Sequence, residues 1–176
     1  MKEKRILNVG CGNDSFGTDF IDVYPLRPEV KKCDLDTEKF PYKDNLFDEV
    51  YSRSNLEHLT NPMNFFRESF RVLKPGGKIT IITDNTGQHG WLGRVHLGNY
   101  EVEHKGFPED RHHMLFTPTH LKNFFLKFGF VVKEIKYYDG SNDMRLWVLS
   151  HLNKRFSPHL IAIGRKSTHR KDRSGG

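Results

Sequence analysis

Two glycines and an aspartate early in the chain have the types and spacing that nucleoside binding requires. The apolar run Ile6–Val9 leads directly into Gly10-Cys11-Gly12, and a second strand-like run, Phe20–Asp22, ends in a carboxylate. Glycines let the backbone turn sharply and let a ligand lie against it without meeting a Cβ. A carboxylate at the end of the next strand can accept hydrogen bonds from both hydroxyls of a ribose. The combination therefore predicts a nucleoside site.

The short distance between these glycines and the aspartate favours one kind of nucleoside. A dinucleotide site needs Gly-x-Gly-x-x-Gly at the start of a helix, whose N-terminal dipole receives the pyrophosphate. Here Ser15 occupies the third glycine position, and little room remains for a helix between Gly12 and the second strand. A ligand with a ribose, a cationic sulfonium and no phosphate gains nothing from a positive helix end. The spacing therefore favours S-adenosylmethionine.

The elements that must position these residues alternate between strand and helix patterns. A chain of 176 residues is long enough for one domain with a sizeable core. The alternation predicts a single α/β domain with an open, doubly wound, mostly parallel sheet of seven strands and a shortened first crossover. The predicted strands cover residues 5–9, 20–22, 30–35, 47–52, 78–83, 130–138 and 159–164, and the predicted helices cover 61–73, 120–128 and 144–156.

Two helices carry boundary signals. Thr117 followed by Pro118 is typical of an N-cap and a first-turn proline, and Gly129 is expected to close that helix. The segment Lys74–Gly77, with the sequence Lys-Pro-Gly-Gly, is expected to end the preceding helix because proline removes a donor and glycine accepts a positive φ.

The net charge of +6 is concentrated at one end of the sequence. Residues 165–176 carry five Lys or Arg and one acid, which gives +4, and the remainder carries 23 bases and 21 acids, which gives only +2. We therefore expect a domain over residues 1–165 and a basic, disordered tail over 166–176. The body offers no strong electrostatic case for a polynucleotide substrate.

Hydropathy and cysteine content restrict the class of protein further. The sequence has no apolar run long enough to span a bilayer and no signal peptide, so we expect a cytoplasmic protein with no membrane span. Cys11 and Cys33 cannot make a disulfide framework, and we expect both to be small buried packing residues. The sequence predicts no oligomeric state.

Histidines are frequent in one part of the chain, but their spacing does not indicate a metal site. No pair has the His-Glu-x-x-His spacing, and no cysteine set accompanies them, so no metal ligand is predicted. The histidines considered are His89, His96, His104, His112, His113 and His120.

Seven short segments carry a family resemblance through their order and spacing. They are Leu7–Gly12, Ile21–Val23, Cys33–Leu35, Phe40–Tyr42, Asp44–Val50, Asn55–Leu59 and Arg71–Gly77. Over roughly residues 5–165 the chain resembles the class I S-adenosylmethionine-dependent methyltransferases. The Glu-His-Leu and Lys-Pro-Gly-Gly segments resemble the small-molecule branch of that family. The resemblance implies an enzyme with a Rossmann-like methyltransferase fold and S-adenosyl-L-methionine as its cofactor.

The resemblance also implies which residues hold the cofactor, along the carboxyl ends of the first four strands. Asp22 would bind the ribose hydroxyls, and Val23 would pack on the adenine. Asp34 and Leu35 would meet the adenine edge, with Asp36 as a competitor for that role. The other implied cofactor residues are Gly10, Cys11, Gly12 and Asn13 at the methionine part, and Ser52, Arg53 and Ser54 after the fourth strand.

The sequence departs from the family pattern at two places. Many members have an acidic residue where Asn8 stands, so this position brings no negative charge toward the methionine ammonium. The first crossover is also short, so the loop Asn13–Thr18 must replace the contacts of the first helix.

The acceptor side is predicted less sharply. A long, polar, histidine-rich connection over residues 85–116 is interpreted as an acceptor-side loop or lid. The segment 111–118 is similar to one in methyltransferases of saccharide and cell-envelope pathways, which implies a small-molecule oxygen as acceptor. A general base is needed only where the acceptor keeps a proton that must leave. The candidate catalytic bases are His58, Asp84, His89, His112 and His113, of which His58, His112 and His113 are the main candidates.

Two alternatives stay open at this point. An RNA methyltransferase could use the basic tail together with Arg94, Lys105 and Arg111, although nucleic acid is not the favoured partner. A protein that binds S-adenosylmethionine without turnover is the other alternative. The sequence Ser52–Asn55 stands where an Asn-Pro-Pro-Tyr motif would be expected, which disfavours the branch that methylates nucleobase amines.

Overall fold

The computed structural model describes residues 3–87, 112–138, 148 and 150–168. The strands are β1 (Ile6–Val9), β2 (Asp19–Asp22), β3 (Val30–Lys32), β4 (Phe47–Arg53), β5 (Leu73–Asp84), β6 (Phe130–Tyr138) and β7 (His159–Lys166). Two α-helices, α1 (Pro62–Val72) and α2 (Pro118–Lys127), and two 3-10 turns, Leu56–His58 and Lys154–Phe156, accompany them.

All seven strands form one sheet, in the order β3-β2-β1-β4-β5-β7-β6. Neighbouring strands are parallel except at β7, which runs antiparallel to both β5 and β6. The mostly parallel seven-stranded sheet is therefore confirmed. The shortened first crossover is confirmed as well, since residues 10–18 form no helix between β1 and β2.

Local sequence signals set several element boundaries. The Thr117 Oγ1 accepts from His120 N at 3.3 Å, and Pro118 occupies the first turn, as an N-cap predicts. Gly129, with a φ of +86°, follows α2 and leads into β6. The bounds of β6 are the predicted ones.

Two strands differ from their predicted bounds by three residues or more. β5 begins at Leu73, directly after α1, because Leu73 pairs with Phe47 and the register then shifts before Glu49 pairs with Lys78. The Pro-Gly-Gly segment is thus an irregularity inside the strand and not a separate turn. β3 ends at Lys32, three residues before its predicted end at residue 35.

The hydrophobic core lies between the sheet and the two helices. Phe65 and Phe66 of α1 are fully buried, which agrees with their interpretation as core residues. Phe66 stacks on Phe124 of α2, with ring centroids 5.0 Å apart. Inward-facing strand residues such as Val50 and Ile79 complete this core, and it holds the sheet rigidly under the site described below.

The opposite face of the central strands is polar. Glu49, only 6% exposed, pairs with Lys78 Nζ at 2.7 Å and accepts from Thr80 Oγ1 at 3.0 Å. These residues alternate along β4 and β5 with Val50 and Ile79 of the core, as the two-residue period of a strand requires. The apolar core is thus supplied by one set of alternating strand positions.

Arg71 braces the connection between β3 and β4, which also lacks a helix. Its guanidinium donates to the carbonyl oxygens of Tyr42 and Phe40, at 2.8 and 2.9 Å, and pairs with Glu68 and Asp44. Five donors in one planar group suit a site with several acceptors. A single side chain of α1 therefore fixes this connection to the helix layer.

Several predictions concern residues outside the part that the structure describes. They involve residues 88–111 of the 85–116 connection, residues 139–147 and 149, and the tail from 169 onward. β7 continues to Lys166, and Ser167 N donates to Gly129 O at 3.3 Å, so ordered contacts extend past residue 165. Arg94, Lys105, Arg111, His89, His96 and His104 all lie in the undescribed part.

The described residues contain neither a membrane-spanning helix nor a metal-binding group. None of their helices has the length and apolarity needed to cross a bilayer. Nor do these residues contain a group of three or more His, Cys, Asp or Glu side chains arranged to hold a metal ion.

Candidate functional site

The turn between β1 and β2 forms an open backbone cradle. Gly10 and Gly12 have φ angles of +67° and +47°, in the left-handed region that glycine enters without strain. The N–H groups of Gly10 and Cys11 donate to the carbonyl oxygen of Ile21, at 2.9 and 3.3 Å, which fastens the turn to β2. A Cβ built on Gly12 would meet no atom within 4 Å, so open space lies above this glycine.

Asp22, the last residue of β2, is fixed beside this cradle by two backbone N–H groups. Its Oδ2 accepts from Gly12 N and its Oδ1 accepts from Tyr24 N, both at 2.8 Å. A carboxylate oxygen has two lone pairs, so each oxygen can still accept one hydrogen bond from a hydroxyl. Asp22 thus has acceptor capacity for two further hydrogen bonds, and its binding of the ribose hydroxyls stays a prediction.

Apolar side chains follow Asp22 at the surface. Val23 and Tyr24 are 40% and 49% exposed. A flat ring that covered them would remove apolar surface from water, which is favourable. This surface adjoins the two oxygens of Asp22, as a nucleoside with its base beside its ribose requires.

The two acids that follow β3 have different surroundings. Asp36 accepts from Thr60 N, Thr60 Oγ1 and Asn61 N, at 3.0, 2.7 and 2.8 Å, and so fixes the start of α1. Asp34 closes a local turn by accepting from Asp36 N at 2.9 Å and Thr37 Oγ1 at 2.7 Å. The carboxylate of Asp36 accepts three hydrogen bonds from residues 60 and 61, and that of Asp34 accepts two. Asp34 therefore has more acceptor capacity for a ligand than Asp36.

The segment after β4 turns sharply over the carboxyl edge of the sheet. Ser52 is buried and its Oγ donates to Val9 O at 2.8 Å, so its hydroxyl joins β4 to β1. Arg53 and Ser54 are exposed. Ser54 has a φ of +47°, a strained angle for a residue other than glycine.

Asn55 is brought by this turn over the cradle. A Cβ built on Gly10 would lie 2.1 Å from the Oδ1 of Asn55, so the amide of Asn55 covers this glycine. The Nδ2 of Asn55 donates to Ser52 Oγ at 3.3 Å. Sequence motifs did not identify Asn55 as a site residue, and its one signal is its place directly after the sharp turn.

A second polar cluster lies at the carboxyl end of β5. Asp84 and His159 are directly paired in the β5–β7 register, and Asp84 Oδ1 lies 3.2 Å from His159 Nδ1. The other carboxylate oxygen, Oδ2, lies 3.4 Å from His112 Nδ1. One carboxylate therefore faces two imidazoles, each through its Nδ1.

The backbone of Glu57 positions the histidines that precede α2. Its carbonyl oxygen accepts from both His113 N and Met114 N, at 2.9 and 3.1 Å. The ring of His112 then lies edge-on against His58, with centroids 4.6 Å apart. Of the predicted bases, His58, His112 and Asp84 are brought together, whereas the side chain of His113 is exposed.

Comparison with known proteins shows which family part of the chain matches. Residues 24–81 match the methyltransferase domain family. Over 103 residues the chain is 31% identical to phosphoethanolamine N-methyltransferase 3 of Arabidopsis thaliana, a match that covers 46% of this chain and 21% of that protein. It is 33% identical over 67 residues to a ubiquinone/menaquinone biosynthesis C-methyltransferase of Azotobacter vinelandii, covering 38% and 26% of the two chains. The chain thus spans about a fifth to a quarter of these curated relatives.

The fold agrees with the sequence match. A crystal structure of an S-adenosylmethionine-dependent methyltransferase from Methanosarcina mazei aligns with a TM-score of 0.68 at 15% identity, covering 96% of this chain and 95% of that one. The chain has the fold of the class I S-adenosylmethionine-dependent methyltransferases, and its residues 24–81 match the methyltransferase domain family. This family uses S-adenosylmethionine as its cofactor.

The residues at the carboxyl ends of β1 and β2 fit S-adenosylmethionine. A side chain at Gly12 would fill space that the cradle leaves open, and Asp22 keeps lone pairs for two hydroxyls beside the exposed Val23 and Tyr24. Residues 10–18 form no helix, so no helix N-terminus faces the cradle to receive a phosphate. This agrees with a ligand that carries a ribose and no phosphate.

Two side chains, of Arg27 and Asn8, hold the loop between β1 and β2, which stands in place of a first helix. Arg27 donates from Nη1 to Asn13 O and from Nη2 to Asp14 O, both at 3.0 Å. Asn8 is buried and its Nδ2 donates to Phe16 O at 3.0 Å. At the position where many relatives carry an acid, this chain therefore uses an amide to fix its own loop.

Three of the predicted cofactor residues have buried side chains: Ser52, described above, Leu35 and Cys11. Leu35 is 4% exposed and belongs to the hydrophobic core, so only its backbone is available to a ligand. Cys11 is also 4% exposed. Burial, and then the negative charge of Asp22, raise the pKa of its thiol to about 11, so the thiol is protonated and not nucleophilic at neutral pH.

Proposed function

We propose that this chain transfers the methyl group of S-adenosylmethionine to an oxygen of a small molecule, a saccharide or a related cell-envelope metabolite. The observation that carries the proposal is the open cradle at Gly12 beside Asp22, with a separate polar cluster around Asp84 at the same edge of the sheet. One group holds the methyl donor, and the other receives the acceptor.

The described residues divide the work of binding and alignment. Asp22 accepts from the ribose hydroxyls, Val23 and Tyr24 cover the base, and Gly12 admits the amino-acid end. When bound, S-adenosylmethionine supplies an electrophilic methyl group on a sulfonium that is its own leaving group. The protein then has to hold the acceptor oxygen in line with that methyl group in a site that excludes water.

One observation supports a small molecule as the acceptor, and a second supports oxygen as the atom that accepts the methyl group. The two curated relatives described above are named for phosphoethanolamine and for ubiquinone/menaquinone biosynthesis, and both names refer to small molecules. The Asp84 cluster adds a carboxylate with imidazoles, which is the machinery that a hydroxyl acceptor needs because its proton must leave.

Binding of the donor is tested by isothermal titration calorimetry with S-adenosylmethionine and with S-adenosylhomocysteine, its demethylated product. We expect one molecule of either to bind per chain. Absence of heat with both ligands would contradict the proposal at its first step.

Transfer is tested by incubating the chain with S-adenosylmethionine labelled in the methyl group and fractionated metabolite extracts. We expect label in a small molecule, attached to oxygen, and none with the Asp22→Ala variant. Label only in RNA contradicts the small-molecule acceptor. Binding without transfer to any fraction favours a non-catalytic binding protein instead.

A further inference from the structure

The strongest unassigned feature is the carboxylate that two imidazoles share. Asp84 faces His159 with one oxygen and His112 with the other, at 3.2 and 3.4 Å. Both imidazoles approach through Nδ1, so the Nε2 of each ring points away from Asp84. The hydrogen bond between Asp84 and His159 keeps the proton on the Nδ1 of His159 and leaves its Nε2 as a proton acceptor. The approach of His112 Nδ1 to Asp84 at 3.4 Å is not a hydrogen bond.

The two imidazoles differ in their access to a ligand. The side chain of His112 is 6% exposed and its ring lies against His58. The side chain of His159 is 25% exposed. Its contacts within the described residues are with Asp84 and, ring to ring at 6.4 Å, with Tyr138. An acceptor molecule can therefore reach the Nε2 of His159 far more easily than that of His112.

The register of the sheet makes this arrangement rigid. Asp84 stands at the end of β5, opposite His159 at the start of β7, and seven paired positions join these two strands. Asn85, the next residue, is buried and its Nδ2 donates to Ser157 O at 2.8 Å, two residues before His159. Side chains on paired strands keep their geometry better than side chains on loops.

We propose that His159 is the general base of an acceptor site for hydroxyl compounds, with Asp84 as the group that orients it and His112 as a positioning residue. This inference rests on the proposed function and adds the chemistry of the acceptor. The acceptor O–H gives its proton to His159 Nε2 while its oxygen takes the methyl group, and the sulfur of the donor keeps the electron pair of the broken C–S bond. Asp84 balances the charge of the imidazolium, which then releases its proton to water.

Charged and titratable groups on three elements lie near His159. Asp84 faces it from β5 and Tyr138 from β6, while His112 and His58 lie on the far side of Asp84. Asp84 is the acid that contacts the ring, so its negative charge stabilises the imidazolium. Replacing Asp84 by Asn removes this charge, and with it the preference for a proton on the Nδ1 of His159.

The first experiment measures that effect without any turnover. Histidine side chains are labelled with ¹⁵N and the tautomers of the neutral rings are measured by NMR in the wild type and in Asp84→Asn, with His159→Gln used to assign the signal. We expect the neutral His159 ring to be protonated on Nδ1 in the wild type and to lose this preference in Asp84→Asn. An unchanged tautomer in Asp84→Asn, or a wild-type ring protonated on Nε2, overturns the assignment of His159.

The second experiment compares three glutamine variants in transfer to metabolite fractions. We expect His159→Gln to reduce kcat by about 10² to 10⁴-fold and to lose the rise of kcat with pH, because general-base catalysis contributes that much. The Kd for S-adenosylhomocysteine should stay unchanged. His112→Gln should reduce kcat less, and His120→Gln, an exposed histidine on α2, should have no effect.

The outcomes separate this inference from the proposed function. Full activity of His159→Gln, or a methyl group found on nitrogen or carbon of the product, overturns the base and the hydroxyl acceptor while transfer itself stands. A wild type that binds no S-adenosylhomocysteine contradicts the proposed function instead. If no methyl group is transferred to any fraction, the NMR measurement on the wild type and Asp84→Asn decides alone. It shows whether Asp84 holds the proton on the Nδ1 of His159.

Discussion

At the scale of single residues, the two carboxylate oxygens of Asp22 hold the backbone of the turn, and the same oxygens are proposed to bind the ribose. Each oxygen accepts a backbone N–H, from Gly12 or Tyr24, and each keeps a lone pair that faces outward. The backbone bonds hold the carboxylate in one orientation before a ligand arrives. Preorganised acceptors lose little conformational entropy on binding, so this residue should contribute strongly to affinity.

The first prediction concerns Asp22→Ala. Loss of two hydroxyl contacts should raise the Kd for S-adenosylhomocysteine well over tenfold, by about 2–3 kcal/mol. Titration calorimetry measures this change. Asp36→Ala is the control, because Asp36 binds residues 60 and 61 and should lower stability without changing affinity. Equal Kd values for wild type and Asp22→Ala would contradict the assignment.

The second prediction compares three glycines that all have positive φ. Gly12→Ala and Gly76→Ala meet no atom within 4 Å, so both should cost only about 1 kcal/mol of backbone strain. Only Gly12→Ala should abolish S-adenosylhomocysteine binding, since its Cβ enters the cradle. Gly10→Ala should unfold more easily than either, because its Cβ would lie 2.1 Å from Asn55 Oδ1.

Thermal unfolding and calorimetry on these three variants test this difference. Retained binding by a folded Gly12→Ala variant would show that the ligand lies elsewhere. Gly76→Ala is matched to it in backbone angle and is remote from the site, so it separates strain from obstruction.

At the scale of elements, two arginines stabilise connections between strands that contain no helix. Arg27 holds residues 13 and 14 through their carbonyl oxygens, and its guanidinium lies 5.0 Å from the ring of Phe20. Arg71 holds the connection before β4 in the same manner. Planar guanidinium groups with several donors can satisfy loop carbonyls that have no partner in a helix.

The third prediction follows for Arg27→Met. Release of residues 13 and 14 should raise the Kd for S-adenosylhomocysteine about tenfold. The Kd for 5′-methylthioadenosine, which lacks the amino-acid end, should change little, because this loop adjoins the methionine part. Arg5→Met is the control: its pair with Asp19, at 2.7 Å, lies on the same two strands away from the cradle. Equal losses for both ligands would indicate a general structural role.

The elements themselves were largely predictable from sequence. β6 and the start of α2 follow from alternation and from the Thr117–Pro118 cap, which are local signals. The early start of β5 was not predictable, since proline and glycine usually end an element. Only the pairing of Leu73 with Phe47 draws this segment into the sheet, and that is a long-range contact.

The candidate site divides in the same way. The cradle and Asp22 lie ten residues apart on neighbouring strands, so a motif reveals them. Asp84 and His159 are 75 positions apart and meet only through the antiparallel register of β5 and β7. No spacing rule connects them, and His159 therefore has no sequence signal. Asn55 likewise reaches Gly10 only through the strained turn at Ser54.

At the scale of the whole molecule, burial of ionisable groups makes stability depend on alkaline pH. Burial is the largest cause that raises the pKa of Cys11 to about 11 and the pKa values of Cys33 and Tyr42 to about 12. The folded chain keeps these protons at a pH where the unfolded chain releases them. Their contribution to stability is therefore complete below about pH 9 and is lost as pH rises toward 11 to 12.

The fourth prediction is that the free energy of unfolding falls between pH 8 and pH 10.5. Lys166 opposes the trend, because burial lowers its pKa and its contribution rises with pH. Burial also raises the pKa of Tyr51, so among the described residues this one group acts against four. Urea unfolding at several pH values measures the slope. Cys33→Ala should be less stable at neutral pH, from lost packing, yet should lose less stability above pH 9 than the wild type. Parallel pH profiles for the two proteins would show that the Cys33 thiol does not ionise on unfolding, and that its burial has no part in the alkaline transition.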